Sequence, residues 1–273
     1  MFERILRKYR REGLYGLKSE IVRRLFHPNE PPFSPIPSAL ETIFADGNFT
    51  IVQIGAYIGD TSNDPLFSTL KTELKKGSGL LICVEPVREY FDALVRNYRD
   101  IPNVVFENVA IADHDGQATF YRLGVDPVQH GYPEWLSQLG SLKKERMEAL
   151  WDKYESIEEF KEFYLQHRIE ETIDCISFQE LLRRHDIGSV DLLQIDTEGY
   201  ELEILATIDF SLVPIRFINY ESTLLHERTK DADKLMQSNG YTSICHGQDT
   251  FCYKGGDRGL IMRCAKLLRM SKR

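Results

Sequence analysis

The sequence is poor in the features that mark metal centres, disulfide scaffolds and membrane spans. Its five cysteines, Cys83, Cys175, Cys245, Cys252 and Cys264, are scattered, with no C-x-x-C pair and no secretory leader ahead of them. They read as reduced thiols of a cytoplasmic protein, and a zinc centre is not expected. No apolar run approaches the roughly 18 residues that would span a bilayer, so the chain is expected to be soluble or at most attached to a surface. No G-x-x-x-x-G-K-[ST] stretch occurs, which excludes a P-loop ATPase. Basic charge is scarce in the body of the chain: residues 1–27 carry net +5 and residues 254–273 net +6 in a protein of net −8, leaving −19 between them. Nucleic acid lying across that acidic body is excluded, because phosphate neutralisation needs clustered Lys and Arg.

What remains is ordinary in bulk. The 273 residues are 42% hydrophobic and 28% charged, enough for one large α/β domain with embellishments. Three parts are expected. Residues 1–37 form a basic amphipathic helix, with Phe2, Ile5, Leu6 and Tyr9 at helical spacing, then an extended connector rich in proline. Residues 38–256 form the central domain, with a lid-like insertion over 124–171. Residues 257–273 form a basic C-terminal helix. The two basic ends provide for peripheral contact with an anionic membrane, or simply for solvated helix faces packed on the domain.

Inside the central domain, apolar runs alternate with helical patterns. Strands are expected at Thr50–Ile54, Leu80–Val84, Val104–Ala112, Val190–Ile195 and Arg216–Tyr220, with a closing hairpin of Tyr241–His246 and Thr250–Lys254. Helices are expected at Ser38–Phe44, Pro65–Lys75, Arg88–Arg99, Ser177–His185, Tyr200–Thr207 and Thr229–Ser238, with Asp64 capping the second. Gln117–Leu123 reads as a strand turned back onto the same sheet. The alternation predicts a mostly parallel sheet with an antiparallel end and ligands at its carboxyl edge.

Polar residues cluster at that edge. T-I-V-Q-I-G-A-Y-I-G-D-T-S, from Thr50 to Ser62, breaks from a buried strand into a glycine loop, where backbone can approach a ligand. Glu85 ends the second strand, where a carboxylate offers two acceptors to the two hydroxyls of an adenosine ribose. Asn108, Asp196 with Glu198, and Glu221 end the others. The loop spacing is G-x-x-x-G rather than G-x-G-x-x-G, and Glu85 lies later than the dinucleotide acid, so an adenosine ligand without pyrophosphate fits better. Asp196, Glu198 and Glu221 are candidate bases or hydroxyl acceptors, with His130 in the insertion and His226 behind them. The three acids also offer oxygens to a divalent cation, but their spacing matches no recognised ligand loop, and no metal is assigned.

In order, V-Q-I-G-A-Y-I-G, I-C-V-E-P, N-V-A-I-A-D-H-D-G, T-I-D-C-I-S-F-Q-E-L-L and D-L-L-Q-I-D-T-E-G-Y-E resemble the FkbM family of S-adenosylmethionine-dependent methyltransferases. The resemblance covers about Thr50 to Lys254. It implies the class I methyltransferase fold, a Rossmann-like three-layer sandwich around a seven-stranded, mostly parallel sheet with an antiparallel end, here with a helical insertion. It also implies S-adenosyl-L-methionine as cofactor and methylation of a hydroxyl on a saccharide, glycoconjugate or natural product. Under it Gly55, Ala56 and Gly59 approach the methionine portion, Glu85 holds the ribose with Pro86 next to it in the cofactor site, and Asn108 and Val109 flank the adenine. Asp196 lies near the sulfonium, and Thr61 belongs to the cofactor loop. The chain departs from the family at Gln53, usually acidic, and Tyr57, usually Asn; Asp60 is the expected substitute for the missing charge. A nicotinamide-dependent oxidoreductase, and a non-catalytic module docking on a membrane or biosynthetic complex, are the alternative readings.

Overall fold

The computed structural model of the chain describes residues 34–61, 64, 66–132, 134–145 and 158–256. The two basic ends therefore fall outside the described residues. No described helix is long and apolar enough to cross a membrane.

The chain opens with helix α1 (Ile36–Ala45), then runs β1 (Thr50–Ile54), α2 (Phe67–Leu74), β2 (Leu80–Val84), α3 (Arg88–Tyr98) and β3 (Val104–Glu107). Next come β4 (Ala110–Ile111), β5 (Gly116–Leu123), β6 (Gly140–Ser141), α4 (Glu158–His167) and β7 (Arg168–Ile176). The remainder is α5 (Phe178–Arg184), β8 (Val190–Ile195), α6 (Glu201–Thr207), β9 (Ile215–Glu221), α7 (Thr229–Ser238), β10 (Tyr241–His246) and β11 (Asp249–Lys254). Helix α1 starts earlier than proline content suggested, because Pro37 sits in its first turn, where a missing N–H costs nothing.

Seven strands form one sheet in the order β10-β11-β9-β8-β1-β2-β3. All are parallel except β11, which runs antiparallel between β9 and β10. This is the sheet of the class I methyltransferase fold. Ile51, Leu81, Leu192 and Phe217 face α1, α2 and α3, packing on Leu40, Leu70 and Leu94. Val52, Ile82, Leu193 and Ile218 face α5, α6 and α7, packing on Leu181, Leu205 and Met236. Strands buried on both faces have no polar side to alternate with, which is why they read as continuous apolar runs.

Two expectations need correction. The third strand does not continue from Val104 to Ala112: it stops at Glu107, and β4 belongs to a different sheet. Nor does Gln117–Leu123 join the main sheet. It lies in a four-stranded sheet of order β4-β7-β5-β6, where β5 pairs antiparallel with β7 from Gly116 opposite Cys175 to Leu123 opposite Arg168. The insertion thus returns into a strand about fifty residues beyond the one it left. Its inner side chains, Leu136, Leu139, Phe163 and Tyr164, pack with Leu123 and with Leu224, just past β9. That seats the insertion over the carboxyl edge of the main sheet.

Candidate active site

Strand order reverses at β1, whose neighbours β2 and β8 continue in opposite directions along the chain, and a crevice opens at such a point. A cleft with about 1060 Å³ of space, its mouth included, lies there. Its walls come from the loops after β1, β2 and β8, from β5, and from the insertion at Ser137, Gln138 and Gly140. A single backbone contact sets its floor. A Cβ on Gly55 would stand 1.7 Å from the carbonyl oxygen of Asp196, and Gly55 has φ +78°, so only glycine lets the ends of β1 and β8 approach this closely.

Glu85 projects into this floor, buried. Its Oε2 accepts from the amide of Tyr57 and its Oε1 from that of Val87, both at 2.9 Å. Burial pushes its pKa up to about 7; the two amides and the Arg122 guanidinium oppose that, and Glu171 adds to it. Each carboxylate oxygen accepts more than one bond, so capacity remains toward the cleft. Tyr57 reaches Glu85 with φ +48°, a left-handed conformation that Asn tolerates better than Tyr. Its ring meets Tyr90 edge-on at 4.6 Å, its hydroxyl lies 3.2 Å from Ser137 Oγ, and the Tyr90 hydroxyl donates to the Ser137 carbonyl at 2.9 Å. The two tyrosines latch the insertion over the cleft.

The acid that stands beside Gln53 is not Asp60. Asp60 is exposed and off the cleft, whereas Asp64 lines it and accepts from Gln53 Nε2 at 2.8 Å. Asp64 also accepts from the amides of Leu66 and Phe67, at 2.6 and 2.9 Å, bracing the turn ahead of α2, which begins at Phe67 with Leu66 at its N-cap rather than at Pro65 with Asp64 there. Gln53 Oε1 is buried and, among the described residues, has no hydrogen-bond partner.

The other sequence candidates divide. Gly55, Ala56, Thr61, Pro86, Val109, Asp196 and Glu198 line the cleft with Gln53, Tyr57 and Glu85. Gly59 does not: a Cβ there would meet the Tyr98 ring at 2.7 Å, so its glycine serves packing on α3. Asn108 does not either; its amide donates to the carbonyls of Glu85 and Pro86 at 2.9 and 3.0 Å and braces the loop that carries Glu85. His130 is exposed on the insertion, its ring 5.3 Å from those of Phe163 and His167, away from the cleft. His226 lies on the turn after β9, with φ +50°, and is not part of the lining.

Sequence reading missed Arg122. It is a buried cation on the cleft wall, held by Glu171 at 2.5 Å and Glu89 at 3.0 Å. It also missed a buried polar row across the sheet, in which Gln194 lies beside Gln53 in register and Asn219 Nδ2 donates to Gln194 Oε1 and Asp249 Oδ2, each at 2.9 Å. The available signal was a polar residue, Gln53, Gln194 or Asn219, late in each of three largely apolar strands.

Asp196, Glu198 and Glu221 come together, one carboxylate oxygen from each within 4.8 Å of the others. Glu198 is not the first-turn acid of a helix: it sits in the loop at φ +54°, and α6 begins only at Glu201. That buried glutamate accepts from the amides of Thr197 and Gly199, at 2.8 and 3.1 Å, and so braces the D-T-E-G loop. Asp196 meets the water of the cleft on one side and protein on the others, and that enclosure, with Glu198 and Asp249, raises its pKa.

Residues 53–243 match the methyltransferase FkbM domain. No curated protein matches the chain. Among solved structures, a putative caffeoyl-CoA O-methyltransferase from Staphylococcus aureus is 11% identical over 86% of this chain and 91% of that one, with a TM-score of 0.41. Precorrin-6y C5,15-methyltransferase from Geobacter metallireducens GS-15 is 12% identical over 80% and 87%, with a TM-score of 0.39. Likenesses this distant assign no residue roles.

Proposed function

Because the chain belongs to the FkbM methyltransferase family, we propose that it moves a methyl group from S-adenosylmethionine to a hydroxyl oxygen of a saccharide, glycoconjugate or natural product. The observation that carries the reading is Glu85, a buried carboxylate on the cleft floor with acceptor capacity left over, at the strand end next to the glycine loop. The cleft fits the cofactor in two further respects. Gln53 Oε1, orphaned and buried, stands beside the Asp64 carboxylate, a pair of acceptors suited to an ammonium. Val87, Val109, Ile111 and Phe120 supply an apolar wall for a flat base.

When bound, the cofactor supplies a methyl group on a sulfonium, which an oxygen nucleophile takes by in-line displacement. An acceptor hydroxyl taking that methyl would give up its proton as the carbon–sulfur bond gave way to a carbon–oxygen bond, and we assign Asp196 and Glu198, which line the cleft, to receive it. Holding the two reactants in line supplies most of the effect, about 7–11 kcal/mol in favourable cases. The insertion, latched by Tyr57 and Tyr90, covers part of the cleft.

Calorimetry with S-adenosylmethionine and with NAD tests the cofactor, and transfer of a labelled methyl into a panel of sugars and lipid-linked glycans tests the acceptor. S-adenosylmethionine is expected to bind and NAD not. The reverse result sinks the proposal, and label entering only nitrogen or carbon acceptors sinks the hydroxyl assignment.

A further inference from the structure

Asp196 and Glu198 follow β8, Glu221 ends the neighbouring β9, and parallel pairing brings all three to one corner of the sheet. Acidic corners are common without a ligand. Here one of the acids is stranded: Glu221 is only 9% exposed, and among the described residues its Oε2 has no hydrogen-bond partner. A buried carboxylate oxygen left unbonded is costly, and beside two further carboxylates a cation satisfies it without adding repulsion.

We propose that Asp196, Glu198 and Glu221 form a binding site for one hard divalent cation of the Mg²⁺, Mn²⁺ or Ca²⁺ class. The donors are all carboxylate oxygens, which such ions prefer and which softer thiolate-seeking metals do not. The spacing agrees. Oxygens bound to one ion at about 2.0–2.6 Å stand no more than about 4–5 Å apart, and these lie within 4.8 Å of one another. Glu201, through the amides of Thr197 and Gly199, holds the loop that presents Asp196 and Glu198, so two ligands come from a braced loop and the third from a strand end. Asp196 and Glu198 line the cleft and Glu221 does not, which places the ion at the cleft wall with open positions toward the cavity. A role for the ion rests on the methyl-transfer reading: coordinated there, an acceptor hydroxyl loses its proton more readily and is fixed in line. The site itself does not depend on that reading.

The test uses the full chain, stripped with EDTA and dialysed, titrated with Mn²⁺ and followed by electron paramagnetic resonance of the free ion. One Mn²⁺ per chain is expected. Glu221→Gln and Glu198→Gln, each close in shape to the native side chain, should each weaken binding at least tenfold, while Asp60→Asn, an exposed acid off the cleft, leaves it unchanged. Absence of stoichiometric binding to the wild-type chain overturns the site, as does binding that survives both glutamine substitutions or falls equally with Asp60→Asn. Titrating S-adenosylmethionine in the presence of EDTA reads the cofactor pocket separately, so the two proposals fail by different measurements.

Discussion

At the scale of the residue, the burial of Glu85 has consequences for both stability and binding. Its pKa is raised from the ordinary carboxylate range to about 7, with Arg122, Glu171, Tyr57 and Tyr90 as its charged and titratable neighbours. The folded protein therefore holds this proton more tightly than the unfolded chain does. The stability it contributes is present below the unfolded pKa and is lost as pH rises through about 7. Ligand-free protein should lose on the order of 1–3 kcal/mol from this group between pH 5 and pH 8, and Glu85→Gln should flatten that part of a melting-temperature profile. At pH 8, where Glu85 is ionised, the same substitution should weaken S-adenosylmethionine binding by about 1–3 kcal/mol, since a charged acceptor is lost; unaltered affinity removes Glu85 from the site. Asp64 and Asp60 make a paired case. Asp64→Ala removes the acceptor of two backbone amides ahead of α2 and a cleft carboxylate together, so it should cost about 1–3 kcal/mol of stability and weaken the cofactor as well. Asp60→Ala, exposed and off the cleft, should do neither, which denaturant melts and calorimetry on both variants would check.

At the scale of the element, the cleft exists because two strand ends meet without side chains between them. Gly55→Ala would drive a Cβ to 1.7 Å from the Asp196 carbonyl oxygen and impose a left-handed φ on alanine. The ends of β1 and β8 would have to separate, and a loss of more than about 3 kcal/mol is expected in a urea melt. A near-neutral result would mean that the close approach does not hold the floor together. The break in the third strand belongs to this scale too. Asn108 turns its side chain onto the loop after β2, the chain leaves the main sheet, and Ala110 and Ile111 pair instead with Cys175 and Ile176. Glu107 and Asn108 interrupt the apolar run from Val104 to Ala112 and mark where it breaks, but not where the chain goes, because its new partner lies more than sixty residues away.

At the scale of the molecule, an acidic body lies between basic ends, with net +5 over residues 1–27 and net +6 over 254–273. If those ends work on anionic lipid, the full chain should float with phosphatidylserine vesicles at low salt and a chain lacking residues 1–27 should not, each basic residue adding about 1 kcal/mol near such a surface. Full-length protein that stays at the bottom of the gradient ends that idea. The main sheet was legible from the amino acids because a strand buried on both faces must be apolar throughout, and such a run bounded by Gly, Asp or Pro has few other uses. Glu85, Asp196 and Gly55 were legible for a related reason: in a parallel sheet the strand ends share one edge, so chain position alone brings them together. The second sheet and the Arg122 guanidinium on the cleft wall depend on contacts between distant segments, which no local pattern encodes. Which acid stands beside Gln53 was likewise decided only in three dimensions. Asp60 is nearer in sequence, but the amides of Leu66 and Phe67 hold Asp64 inward beside Gln53, while Asp60 stays exposed.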